Sequence, residues 1–141
     1  MSKTLYEQDY GLWAEQMADL IEAGRFGELD IENLEEEVRD LSKRERDRLL
    51  SSLRLIVHHL LMWDYQPQCR SRSWQGSIQR ERANISLYLE DSPSLRRYLA
   101  NEWLYKIYLV ACADAFKETG LKFPEVCSYE IGDVLHRDVN F

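Results

Sequence analysis

Two glutamates and a histidine form the pattern in this sequence that is closest to a metal site. Glu36 and Glu37 lie in one predicted helix, and His59 lies beside His58 in the next one. Helical bundles bind divalent metals through inward-facing Glu and His side chains on facing helices. If the two helices pack antiparallel, Glu36, Glu37 and His59 would serve a metal-dependent hydrolase or nuclease. The sequence contains no Glu-x-x-His motif, so the alternative is a buried histidine held by one partner such as Glu36.

A basic segment suggests a second kind of chemistry. Residues 43–82 carry nine Lys and Arg against four Asp and Glu, a net charge of +5, whereas residues 1–42 carry −9 and residues 83–141 carry −3. Arginine binds phosphate bidentately, and a neighbouring tryptophan can stack on a base. Ion pairing of these arginines with the acidic helix inside one bundle is the alternative. The candidates for nucleic-acid or phosphate binding are Arg70, Arg72, Trp74, Arg80 and Arg82.

Aromatic residues near the end of the chain suit contacts between proteins. Tyr98, Trp103, Tyr105 and Tyr108 cluster on the last long predicted helix. Tyrosine and tryptophan combine a large apolar surface with one polar group and are enriched at interfaces. Packing inside the thin core of a small bundle is the alternative. These four residues are therefore candidates for an interface with a protein partner or with a second copy of the chain.

Other kinds of site receive little support. Cys69, Cys112 and Cys127 follow no metal or disulfide spacing, so we expect reduced thiols. Arg70 beside Cys69 would lower the pKa of that thiol, yet no base is paired with it in the sequence. Six scattered glycines form neither a phosphate-binding loop nor a dinucleotide fingerprint. Whether the chain is an enzyme stays open, and no cofactor is predicted apart from the divalent-metal alternative.

The elements that must position these residues are helices, because apolar residues recur at helical spacing almost throughout. Thr4-Leu5-Tyr6-Glu7 and Ser42-Lys43-Arg44-Glu45 match the capping-box pattern that starts a helix. The pattern predicts helices over residues 4–24, 30–41, 42–65 and 93–119, another that begins near Ser71 or Ser73 and ends at about residue 90, and a short one after Ser128. We therefore predict an all-α fold, a single-domain bundle of about five helices with short loops over residues 1–141.

Composition limits the class of protein further. The chain has 141 residues and a formal net charge of −7, which is not typical of a nucleic-acid or membrane binder. Residues 1–10 carry Glu7 and Asp9 and no apolar core, so we expect no signal peptide. The longest uncharged run, Leu55–Trp63, is far shorter than the roughly 20 residues that span a bilayer. We expect a cytoplasmic protein with no membrane contact.

Several short motifs along the chain form a combination typical of one family. They are Leu5-Tyr6-Glu7-Gln8-Asp9-Tyr10 with Trp13, Asn33–Val38, His59–Trp63 with Tyr65-Gln66-Pro67, Ser71–Trp74, Glu90–Leu95, and Phe123-Pro124 with Cys127. Together they resemble the family called "domain of unknown function 29", which is common in cyanobacteria. The resemblance covers nearly the whole chain and implies an α-helical protein. It implies no activity and no catalytic residue.

These observations rank three hypotheses. The first is a small helical interaction module that acts through protein–protein contacts, with no catalysis of its own. The second is nucleic-acid or phosphate binding through the basic segment, and the third is the metal-dependent hydrolase or nuclease. Each hypothesis requires a different arrangement in space. The first requires exposed aromatic residues, the second exposed arginines on one face, and the third glutamates that converge with His59.

Overall fold

The computed structural model describes residues 3–141, and 78% of those residues are helical. No strand occurs within those residues, which confirms the predicted all-α class. The α-helices are α1 (Leu5–Gln8), α2 (Tyr10–Glu22), α3 (Ile31–Tyr65), α4 (Arg72–Asp91), α5 (Asn101–Thr119) and α6 (Ile131–His136). Short 3-10 turns lie at Phe26–Glu28, Pro67–Cys69 and Pro93–Tyr98. The chain divides into two compact units, residues 1–43 and residues 44–141.

The first predicted helix is two helices in the structure. Thr4 precedes α1, but its side chain makes no capping hydrogen bond, so the predicted capping box is wrong. α1 ends after one turn, and the Asp9 carboxylate then accepts a hydrogen bond from the backbone N–H of Leu12 at 3.0 Å. An aspartate that caps a helix in this way starts a new helix. The continuous apolar spacing from Tyr6 to Leu20 conceals that break.

The predicted break near residues 41–42 does not occur, because α3 continues through 35 residues. Neither proline nor glycine lies between Ile31 and Tyr65, so the backbone meets no obstacle to helix. Ion pairs one turn apart, Lys43 with Asp40 and Arg48 with Glu45, lie on its surface. A serine-led capping box is a permissive signal, and it starts a helix only where the preceding residue leaves helical geometry.

The predicted fifth helix begins later than expected. Pro93 opens a 3-10 turn that ends at Tyr98, and the extended backbone of Ala100 separates this turn from α5. The predicted end is confirmed, since Gly120 adopts φ 72° after the last turn. This left-handed conformation is one that glycine accepts without strain.

The core of the unit at residues 44–141 lies between the second half of α3, α4, α5 and the C-terminal segment. Leu53, Ile56 and Leu60 of α3 are fully buried, as are Ile78 of α4 and Leu104 of α5. Tyr129, Val134 and Val139 bring the C-terminal segment into the same cluster. In the described part of the chain, no helix has the length and apolar character needed to cross a membrane.

Candidate protein-interaction surface

Arg70 is held by the end of α3. Its Nε donates a hydrogen bond to the carbonyl oxygen of Trp63 at 2.8 Å, and its guanidinium carbon lies 4.9 Å from the centroid of the Trp63 ring. The last carbonyls of a helix lack partners within the helix and attract a cation. Arg70 therefore caps α3.

Arg82 caps the C-terminal end of α6 in the same way. Its Nε donates to the carbonyl of Val134 at 2.9 Å and its Nη2 to that of Asp133 at 3.1 Å. Burial is the main cause that lowers the pKa of the Arg82 guanidinium. The partners of Arg70 and Arg82 are thus backbone carbonyls and not the acidic helix, which was the predicted alternative to phosphate.

The other three nucleic-acid candidates differ in how far their side chains are exposed to solvent. Arg72 and Arg80 are exposed, and Arg80 Nε lies 3.4 Å from Glu81 Oε1. Trp74 is half-buried and packs against the core. Arg72 and Arg80 are therefore the two exposed arginines among the five candidates.

The metal candidates do not converge as predicted. Glu36, Glu37 and His59 belong to one continuous helix, so the antiparallel pair of helices that the prediction required is absent. Glu37 accepts hydrogen bonds from the hydroxyls of Tyr6 and Tyr10, and its carboxylate raises the pKa of Tyr6 to about 12. Within residues 3–141, no group of three or more His, Cys, Asp or Glu side chains is arranged to hold a metal ion.

His59 bonds to its own helix. Its Nδ1 lies 2.8 Å from the carbonyl oxygen of Leu55. A carbonyl only accepts, so Nδ1 carries the proton and Nε2 is the remaining acceptor. Burial lowers the pKa of the His59 ring and is the largest cause of that shift. The partner is thus a backbone carbonyl and not Glu36, which was the predicted partner.

A buried serine and glutamate link α3 to α4. Ser52 is 4% exposed and Glu81 7% exposed, and the Ser52 hydroxyl donates to Glu81 Oε2 at 2.7 Å. Asn84 Nδ2 lies 3.4 Å from the same oxygen. Because burying a carboxylate is costly unless it is hydrogen-bonded, this pair fixes how the two helices pack.

Replacing Ser52 tests that pair. We expect Ser52→Ala to lower the free energy of unfolding by about 1–3 kcal/mol, because the buried Glu81 carboxylate loses its closest donor. Ser51→Ala is the matched control, since Ser51 is exposed on the same turn. Urea unfolding measures both. Equal, small effects of the two substitutions would show that the hydroxyl contributes nothing to the packing.

The aromatic candidates divide between the core and the surface of α5. Tyr108 is 2% exposed and donates a hydrogen bond to the carbonyl of Pro124. The structure places this interface candidate in the core, on the same face as the buried Leu104 and Ala111. Tyr98 and Trp103 are half-buried and meet edge to face at 5.2 Å between ring centroids. Tyr105 is 50% exposed.

Tyr105 belongs to an apolar strip along the outer side of α5. The α5 strip consists of Tyr105, Leu109, Cys112 and Phe116, which are spaced by four, three and four residues and so share one face. Cys112 is half-buried at the edge of that face and also packs against the core. Leu109 is 63% exposed and Phe116 47%. This spacing is that of a seam between two packed helices.

The surroundings of the α5 strip continue its apolar character and add charge at its ends. A cavity of about 310 Å³ is lined by Tyr105, Leu109 and Val126, among others, and Val126 is 79% exposed. Glu102 and Lys117 are exposed near opposite ends of the helix. By helical geometry both lie on the flank of the strip beyond Leu109.

A family model described as "Domain of unknown function DUF29" matches residues 5–139. The chain belongs to the DUF29 family. This confirms the resemblance drawn from the short motifs, which extends over nearly the whole chain. No curated protein and no solved structure matches the sequence.

Sequence reasoning missed two structural features of this DUF29 chain. The first is the Ser52–Glu81 pair, although Glu81 stands between Ile78 and Ile85 at helical spacing, which places it on the apolar face of α4. The second is the Asp64 carboxylate, which accepts hydrogen bonds from the hydroxyl of Tyr129 and from Arg137 Nη2, both at 2.7 Å. No local signal links residues that lie 65 and 73 positions apart.

Proposed function

We propose that this DUF29 chain is a helical interaction module without catalysis of its own, which works in the cytoplasm and pairs with a second copy through the α5 strip. The observation that carries the proposal is the exposure of Tyr105, Leu109 and Phe116 along one face of a helix that is anchored to the core by an adjacent face, where Leu104 and Ala111 are fully buried. Contiguous exposed apolar surface of this kind marks interaction sites. The three thiols are free, which fits a reducing compartment.

A second copy fits the α5 strip because the strip is self-complementary. When two α5 helices lie antiparallel about a two-fold axis, Tyr105 of one copy faces Phe116 of the other, and Leu109 faces Cys112. In such an isologous contact each pair occurs twice. Glu102 of one copy then comes beside Lys117 of the other, since both lie on the same flank at opposite ends of the helix. A parallel pair would instead place the Glu102 and Lys117 flanks of the two copies on opposite sides of the interface, so these ion pairs would not form.

The size of the α5 strip sets the expected affinity. Three large exposed side chains with Val126 cover less than the roughly 800 Å² per partner that a standard interface buries. We therefore expect a dimer with a dissociation constant of about 1–100 µM, because association must offset lost rotational and translational freedom. The dimer should form and dissociate with concentration and not be obligate.

Sedimentation velocity with substituted chains tests the proposal. Leu109→Glu is expected to weaken dimerisation by about 100-fold or more, because it removes two buried leucines and buries two carboxylates per dimer. Leu87→Glu is the matched control, since Leu87 is 57% exposed on α4, outside the α5 strip. The proposal would be contradicted if both substitutions weakened dimerisation equally, or if neither of them weakened it.

A charge exchange tests the antiparallel orientation. Glu102→Lys and Lys117→Glu should each weaken the dimer by about threefold to tenfold, and the double variant should restore it, because the two ion pairs form again with their signs reversed. Additive weakening in the double variant would exclude the antiparallel pairing.

A further inference from the structure

We propose that the unit at residues 1–43 binds a basic amphipathic helix of another protein, along the exposed apolar side of the first part of α3. This goes beyond the pairing of α5, because it concerns a different surface and a different partner. It does not depend on dimerisation of the chain.

The unit at residues 1–43 buries little and exposes much. Among its described residues, only Trp13 and Met17 are buried apolar side chains, at 3% and 8% exposure. The exposed large apolar side chains of the same unit are Tyr10, Leu12, Ile21, Phe26, Ile31, Val38 and Leu41. So much exposed apolar surface in so small a unit indicates a surface that a partner covers.

Four apolar residues on the first part of α3 define the shape of that partner. Ile31, Leu34, Val38 and Leu41, here called the α3 seam, are spaced by three, four and three residues. Ile31, Val38 and Leu41 are 60%, 63% and 57% exposed, and Leu34 is half-buried. β-Branched residues that alternate with leucines at this spacing receive the side chains of a second helix. The occupant that fits is therefore helical, with its own apolar stripe.

The α3 seam lies next to the side of α3 that contacts α2. Trp13 Nε1 donates to Asp30 Oδ2 at 3.1 Å, and Tyr6 donates to Glu37. These bonds fix α1 and α2 against the Asp30 and Glu37 side of α3. A helix laid on the seam would thus meet a surface that is already positioned.

The charge of the unit selects the partner. Residues 1–43 contain twelve Asp and Glu against four Lys and Arg, a net charge of −8. Two such units would repel each other, which disfavours a second copy of this unit as the occupant. A partner helix with Lys and Arg beside its apolar stripe is attracted instead. Apolar seam and charge together indicate a basic amphipathic helix.

Fluorescence anisotropy with two designed peptides tests this inference on the full chain carrying Leu109→Glu, so that dimerisation through α5 does not contribute. The probes are labelled helical peptides of about 18 residues, one composed of Leu and Lys and the other of Leu and Glu at the same positions. We expect the Leu/Lys peptide to bind at least about tenfold more tightly than the Leu/Glu peptide. Val38→Ser with Leu41→Ser should weaken that binding at least about tenfold.

The matched control is Leu87→Ser on α4, which should leave peptide binding unchanged. Three outcomes would overturn the inference. The first is binding of the Leu/Lys peptide that the seam substitutions do not weaken, which would indicate charge attraction alone. The second is a fall in the urea midpoint of the seam variant as large as that of a core substitution, which would show that the seam packs within the chain. The third is a dimer of the Leu109→Glu chain that the seam substitutions abolish, which would make a second copy the occupant.

Discussion

Leu104→Ala is expected to lower the free energy of unfolding by about 2–5 kcal/mol, whereas Leu109→Ala should change it by less than about 0.5 kcal/mol. Both leucines lie on α5, five residues apart in sequence. Leu104 is fully buried, so its truncation removes apolar contacts and leaves a cavity. Leu109 is 63% exposed, so its truncation in the monomer removes little packing.

Urea unfolding at a chain concentration well below the dissociation constant of the dimer measures both effects. Dilution matters because binding to a second copy would add to the apparent stability of the folded chain. Sedimentation should rank the two variants in the reverse order. Leu109→Ala should weaken dimerisation, whereas Leu104→Ala should reduce it only by unfolding the chain. A large loss of monomer stability in Leu109→Ala would place this side chain in the core and remove the basis of the α5 strip.

Asp64→Ala is expected to lower the free energy of unfolding by about 2–3 kcal/mol and to loosen the C-terminal segment. The Asp64 carboxylate accepts hydrogen bonds from Tyr129 and Arg137, and the Arg137 guanidinium carbon lies 5.6 Å from the Tyr129 ring centroid. Hydrogen bonds to a charged group contribute about 1.5–3 kcal/mol each, and the partial exposure of Asp64 and Arg137 reduces that contribution. Tyr129 is 6% exposed, so its hydroxyl would be left buried without that acceptor.

Hydrogen exchange separates a local from a global effect of Asp64→Ala. We expect the backbone amides of α6 and its flanking residues to exchange faster in the variant, while those of α3 and α5 follow the global stability. Asp64→Asn should have a smaller effect, because its carbonyl oxygen still accepts from Tyr129. Asp138→Ala is the control for loss of an exposed acid in the same segment. Unchanged exchange in α6 of the Asp64→Ala chain would show that the carboxylate does not hold the segment.

The helical class and several helix ends could be predicted from the sequence, because local residue patterns determine them. Apolar spacing predicts the all-α class, and the residue types that end and start helices identify the stop at Gly120 and a start near Ser71 or Ser73. In the structure the Ser71 hydroxyl accepts from Trp74 N–H at 3.2 Å. The same local rules failed at Asp9 and Ser42. At both positions a capping residue stands inside a continuous apolar pattern, and only the preceding backbone decides whether the helix restarts.

The partners of the polar candidates could not be predicted from local patterns. Arg70 and Arg82 donate to carbonyls at the ends of α3 and α6, and which helix end comes near an arginine depends on tertiary packing. Tyr108 was predictable in principle, because its position beside Leu104 and Ala111 on a helical wheel places it on the buried face. The exposed side of α5 became evident only when the buried side was known.

The mass of the unmodified chain in solution is a direct test of self-association through α5. Static light scattering from about 1 µM to about 1 mM should show the weight-average mass rise from the 16.8 kDa of the single chain toward twice that value. Leu109→Glu should hold the mass at the single-chain value over the same range. A mass of 16.8 kDa for the unmodified chain at the highest concentration would contradict self-association through α5.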